Sequence, residues 1–254
     1  MSKKAIVVVF AVVLVFALLV GILATPQGTP PPGPTRDEAI PENAVKMMPE
    51  DDLFIPVVHG SEWVQPVPMP GPVNTAGAED SAFITPDGQR FFFFWTPDMN
   101  IPLQQQILDG VTGIWWCQMV GGEWTEPEKI ALHDDLSMEG AEVVQGDLMW
   151  FASVRAGNIG EVDVYSTEFS NGVWGNVQNL GEQMNGEYDI GEFHLMPDGN
   201  VLYFDKKDAS GNTDIWKTVR SGDSWSMPEL VSNINSALNE SRPFLTADGG
   251  EMWF

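Results

Sequence analysis

Residues 191–235 read GEFHLMPDGNVLYFDKKDASGNTDIWKTVRSGDSWSMPELVSNIN, and this stretch decides the fold. Pro197-Asp198-Gly199 sits between two hydrophobic segments, Phe193 to Met196 and Leu202-Tyr203-Phe204. Asp-Gly supplies the positive φ of a tight hairpin, so the two segments read as antiparallel partners. A third strand follows at Asp214-Ile215-Trp216, and a fourth opens at Trp225 and ends near Pro228.

Outward from this stretch, the same landmarks recur about every 50 residues. An acidic or small residue, an aliphatic and an aromatic precede a tryptophan nine positions later: Asp52-Leu53-Phe54 with Trp63, Gly113-Ile114-Trp115 with Trp124, Asp163-Val164-Tyr165 with Trp174, and Asp214-Ile215-Trp216 with Trp225. The turn and second strand recur as Pro86-Asp87-Gly88 before Phe91-Phe92-Phe93 and Ala247-Asp248-Gly249 before Met252-Trp253-Phe254. One copy keeps the strand, Met149-Trp150-Phe151, behind a different turn, Gln145-Gly146-Asp147. Four short strands per repeat of this length define a propeller blade. No segment after Glu50 sustains a 3.6-residue apolar period beyond two turns, which argues against a helical solenoid. The expected class is all-β, a β-propeller of four-stranded blades.

Strand, Pro-Asp-Gly, Leu-Tyr-Phe, Asp-Ile-Trp, Gly-x-x-Trp-x-x-Pro and a closing Ile-Asn together resemble the WD40-like β-propeller repeats of the TolB type, found in envelope proteins of bacteria and archaea. The resemblance covers Asp51 to Phe254 and is best over Gly191 to Asn235. It implies a scaffold for protein or ligand binding with no shared catalytic motif. The repeat phase adds a topological expectation. The domain opens on third and fourth strands (Asp52 to Val67) and stops after first and second strands (Arg242 to Phe254). Either the two halves complete one blade and close a ring of four, removing exposed strand edges, or the chain is a fragment of a larger propeller.

Ahead of the repeats, Lys3 and Lys4 precede Ala5 to Ala24, twenty residues without a charge. As a helix this run spans a bilayer core. It reads as a signal-anchor or as a cleaved signal peptide, and in both cases sends the rest of the chain out of the cytoplasm. Residues 25–50 read as a proline-rich linker and 51–254 as the propeller domain.

With 36 Asp and Glu against 12 Lys and Arg, the net charge is −24. That balance excludes nucleic acid as a partner, because phosphate affinity needs basic residues. Cys117 is the single cysteine, so neither a disulfide framework nor a multi-cysteine zinc site is available. His59, His133 and His194 have no metal-binding spacing, and no nucleophile elbow occurs. Thr246 to Trp253 loosely fits the Asp-box of sialidase-like propellers, a structural turn in that setting.

Two groups of residues remain as a candidate site. Asn74, Asp134, Asn185 and Asn235 lie ten or eleven residues after their tryptophans, and Glu79, Asp80, Glu139, Asp189, Glu192 and Glu240 follow them. In a propeller these connections surround one mouth of the central channel. The asparagines serve there as turn formers or belong to an electronegative rim for a divalent cation such as calcium, which oxygen ligands suit, or for the basic residues of a partner. The second group is the insertion Thr96 to Gly110, with Asp98, Asn100, Gln104, Gln105 and Gln106, a long loop expected on the same face. The leading expectation is a membrane-tethered binding module outside the cytoplasm for an envelope protein or a glycan, without a resident cofactor. The alternative is a carbohydrate-active enzyme with carboxylates at the mouth.

Overall fold

The computed structural model describes residues 34–254 apart from positions 52, 54, 56, 59, 133–136, 189, 209 and 223. The apolar segment Ala5 to Ala24 lies outside the described residues, and no described helix is long and apolar enough to cross a membrane.

The described strands form a propeller-like, all-antiparallel arrangement. The first sheet runs β1 (Ala78–Ile84), β2 (Arg90–Thr96), β3 (Gly113–Val120), with β4 (Glu123–Trp124) and β5 (Glu128–Lys129) both paired to β3. The second runs β6 (Met138–Gln145), β7 (Leu148–Val154), β8 (Asp163–Ser170) and β9 (Val173–Asn179). The third repeats the first, with β10 (Phe193–Leu195), β11 (Val201–Lys207), β12 (Thr213–Ser221), β13 (Ser224–Trp225) and β14 (Glu229–Leu230). A hairpin of β15 (Phe244–Leu245) and β16 (Met252–Trp253) ends the chain. Pro127 and Pro228 split the fourth strand of the first and third sheets, since proline cannot donate to the ladder. β9 contains no proline and is continuous.

The repeated turns have a common construction. Asp87, Asp198 and Asp248 each accept from the backbone N–H two residues on, at 2.9–3.0 Å, and the intervening glycines take φ of 68–70°. The Asp-box-like segment is thus the same hairpin turn as its copies. The strand-two and strand-three aromatics of each repeat are direct cross-strand partners: Phe93 with Trp115, Phe151 with Tyr165, Phe204 with Trp216.

Strand alternation sends successive aromatics to opposite faces. Phe92, Trp116, Met149, Phe151 and Trp174 form the core between the first and second sheets, and Trp150, Val164, Tyr188, Phe193 and Phe204 that between the second and third. The innermost strands β1, β6, β10 and β15 follow one another in contact. The other face of the first sheet, with Phe91, Phe93, Trp95 and Trp115, is covered by Val73, Met69 and Ile40.

That covering differs from the expected linker. Helix α1 (Arg36–Ala39) is held by a reciprocal cap between Thr35 and Glu38. Arg36 is buried, its guanidinium 5.5–5.8 Å from the rings of Phe93, Trp95 and Trp115 and donating to the carbonyls of Val73 and Pro72. The strands expected over Asp52 to Val67 are also not formed among the described residues. Leu53 is 90% exposed and Trp63 56% exposed. Pro66, Pro68, Pro70 and Pro72 follow, each lacking a ladder donor. Trp63 nevertheless meets Trp253 edge-on, with centroids 5.3 Å apart, so the two expected half-blades touch at one aromatic pair.

Candidate functional site

The asparagine column proves to be part of the sheets. Asn185 accepts from Val164 N at 2.7 Å and donates to Val164 O at 3.1 Å. Asn235 does the same to Ile215, at 2.7 and 2.8 Å. Each amide accepts the N–H of the aliphatic landmark residue and shares its carbonyl with the backbone N–H of Leu180 or Val231, extending the ladder by one residue. Asn74 contributes its carbonyl to Lys46 at 2.7 Å. Asp134 and Asp189 lie outside the described residues.

Three rim carboxylates are likewise taken up internally. Glu79 accepts from the N–H and hydroxyl of Thr75 at 3.0 and 2.6 Å, and Glu240 is bonded in the same way to Ser236. Glu139 pairs with Arg155 at 2.9 Å, both side chains buried, and Arg155 lies 4.4 Å over the Tyr165 ring. Nearer donors thus engage these three carboxylates, while Asp80, Glu139 and Glu192 line one common pocket. Among the described residues no three His, Cys, Asp or Glu side chains stand together to hold a metal ion.

The insertion loop closes on itself. Asp98 accepts from the N–H and side-chain amide of Asn100 at 2.9 and 3.0 Å, helix α2 (Leu103–Gln106) follows, and Gln106 donates to Ile101 O at 2.9 Å. Gln104 and Gln105 are exposed.

What does gather on the expected face is a cleft of about 690 Å³, lined among others by Asn185, Glu192, Asp205, Lys207, Thr213 and Arg242. Its organiser is Asp205, on β11. One oxygen accepts from Glu192 N at 3.1 Å and the other from Arg242 N at 2.9 Å, tying the segments that lead into β10 and β15. Gly191 makes this possible: a Cβ there would lie 2.0 Å from Asp205 Oδ1. Burial raises the Asp205 carboxyl above its ordinary range, against those two N–H bonds and Arg242. Burial raises Glu192 too, opposed by Arg242 and reinforced by Asp205 and Asp80. Arg242 also reaches Asp80 of β1 at 3.4 Å.

Beside the cleft, a smaller cavity of about 150 Å³ lies between the innermost strands, lined by Asp80, Phe83, Glu142, Glu192, His194 and Phe244 among others. Glu142 is 3% exposed and neither carboxyl oxygen has a hydrogen-bond partner. Burial holds its proton on well above the ordinary carboxylate range, with Glu192 and Asp80 adding to the effect. His194 Nε2 is also buried without a partner, and burial pushes this imidazole down to about 4. Its ring meets Phe244 at 4.9 Å.

Sequence reasoning missed Glu142, His194, Asp205 and Arg242. A signal existed for Glu142: aligned through the partners of the strand-two aromatics, its column holds Ala82, Phe193 and Pro243, so it is the polar exception. Cys117, by contrast, is buried, and burial pushes its thiol up to about 11, which fits a packing residue and not a nucleophile.

No family model matches the sequence, and no curated protein matches it either. Among solved structures, the chain is similar to TolB from Acinetobacter baumannii, at 18% identity and a TM-score of 0.40 over 68% of this chain and 35% of that one. It is similar to a TolB-like protein of Agrobacterium tumefaciens, at 20% identity and 0.40, covering 65% of this chain and 50% of that one. A 6-phosphogluconolactonase-like protein of Bacteroides uniformis follows at 13% and 0.40, covering 72% of this chain and 49% of that one. The chain thus spans half or less of the length of these structures.

Proposed function

We propose that the chain is a binding module held outside the cytoplasmic membrane by its N-terminal apolar segment, with a protein or glycan partner seated in the Asp205 cleft. The observation that carries this reading is the cleft itself: about 690 Å³, open, and offering Lys206, Lys207 and Arg242 beside Glu192 and Asp205. Both signs of charge on a rigid sheet edge suit recognition of a polar partner. The Lys3-Lys4 signal ahead of Ala5 supports the extracytoplasmic side, and protease added to intact spheroplasts should digest the domain. In the same reading the Trp63–Trp253 contact closes a four-bladed ring. Capture from envelope extract should succeed with the native chain and fail with Lys207→Glu; equal capture by both would remove the cleft from the reading.

One observation favours a carbohydrate-active enzyme as a second reading. Glu192 and Asp205 face the same cleft and both are raised by burial, as a general acid requires. Glycoside hydrolysis that disappears in Glu192→Gln would select it.

A further inference from the structure

We propose that the inner cavity between β1, β6, β10 and β15 is a binding site for an alkylammonium group, held by Glu142 and Glu192 with its carbon chain against Phe83 and Phe244. Two independent observations point there. Glu142 carries two buried, unbonded oxygens, and His194 Nε2 is a third buried polar atom without a partner on the same cavity. A buried polar group left unsatisfied costs free energy that a ligand's donors would recover. An ammonium brings three N–H donors, which matches the acceptors available.

Charge selects a cation over a neutral polar ligand. The titratable groups that line the cavity are Asp80 from β1, Glu142 from β6, Glu192 and His194 from β10 and its approach, and Arg242 ahead of β15. Asp205 stands behind Glu192, and Glu139 is already paired with Arg155. Three carboxyls thus face one guanidinium, which is engaged with Asp80. Size and wall chemistry select an alkylammonium. A volume of about 150 Å³ is the share of roughly five waters in the liquid, and Phe83, Phe193 and Phe244 supply apolar walls.

The proton balance follows from the state of Glu142. Where the free site holds Glu142 as the acid, it gives its proton to solvent as R–NH₃⁺ enters, leaving a carboxylate–ammonium pair, so binding releases a proton and strengthens as pH rises until Glu142 ionises in the free site. A free amine and a lysine side chain of a partner present the same group. Glu192 and Arg242 line both the cavity and the cleft, whereas Glu142 lines only the cavity, so Glu142→Gln tests the cavity apart from the cleft reading.

The test is calorimetry of the full chain with n-butylammonium and, in a second arm, with a short peptide carrying one lysine, at about 0.15 M salt to screen diffuse attraction. Two buffers of different ionisation enthalpy read the proton. The expected result is saturable one-to-one binding with proton release, and n-butanol inert. Glu142→Gln, which keeps the shape, should weaken binding at least about tenfold, the scale of one charge-assisted hydrogen bond, and abolish the proton release. Binding of butylammonium but not of the peptide assigns the site to free amines; the reverse assigns it to a lysine. No saturable binding in either arm, or equal binding by Glu142→Gln, overturns the proposal. Equal partner capture by the native chain and Lys207→Glu, with intact amine binding, would refute only the cleft.

Discussion

Glu142 and His194 sit in columns that the other repeats fill with apolar residues, and burial disfavours the charged form of both. Their consequences for stability have opposite signs. The folded pKa of Glu142 is raised, so the folded state holds the proton more tightly than the unfolded chain; its contribution is full below about 4.5 and is lost as pH rises toward the folded value. The folded pKa of His194 is lowered from 6.5 to about 4, so its contribution is lost as pH falls through that window. Glu142→Gln should therefore stabilise the protein at neutral pH and flatten the fall in thermal midpoint with rising pH. His194→Phe, which copies the residue at Phe83 and Phe244, should remove the acid-side loss between 6.5 and about 4. Melts of both variants across pH 4 to 8 would check this, and unchanged slopes would show that other groups set the profile.

Turns and strands were legible because their chemistry is local. Asp-Gly needs no partner beyond two residues away, and alternation reports a sheet face directly. The role of Asn185 and Asn235 was not legible, since each amide completes backbone bonds to a residue 20 or 21 positions earlier. Glu142 was masked by a bulge: the register shifts between Gly140 and Val143, as it does between Asp80 and Phe83, and counting by twos fails across it. The tryptophan column was legible in position but not in burial. Trp174 is buried against Phe92 of the first sheet at 5.9 Å, and Trp174→Ala should cost about 3–5 kcal/mol in a denaturant melt. Trp63→Ala, at a half-exposed site, should cost far less. Gly191→Ala belongs to the same scale. The added methyl meets the Asp205 carboxylate, so about 1–3 kcal/mol should be lost to overpacking, and less when Asp205→Ala gives the methyl room.

Across the molecule, the segment from Arg242 onward is tied to distant parts by contacts besides the β10–β15 packing and the His194–Phe244 ring pair. Arg242 N donates to Asp205 of the third sheet, the Arg242 guanidinium pairs with Asp80 of the first, and Trp253 meets Trp63. The Asp80 pair is exposed, so Asp80→Ala should change stability by no more than about 1 kcal/mol. Trp63→Ala should instead raise hydrogen exchange in the β15–β16 hairpin while leaving the second sheet protected. Equal exchange in the hairpin would mean that the aromatic contact does not hold it.

Arg36 gives the fold a mechanical property. Any tension arriving along the chain from its N-terminal side meets this buried guanidinium first, clamped between three rings and two carbonyls on the outer face of the first sheet. The load is spread over the flank of the sheet and does not peel strands one at a time. The innermost strands, with the Glu142 cavity between them, are thereby insulated from traction applied ahead of Arg36.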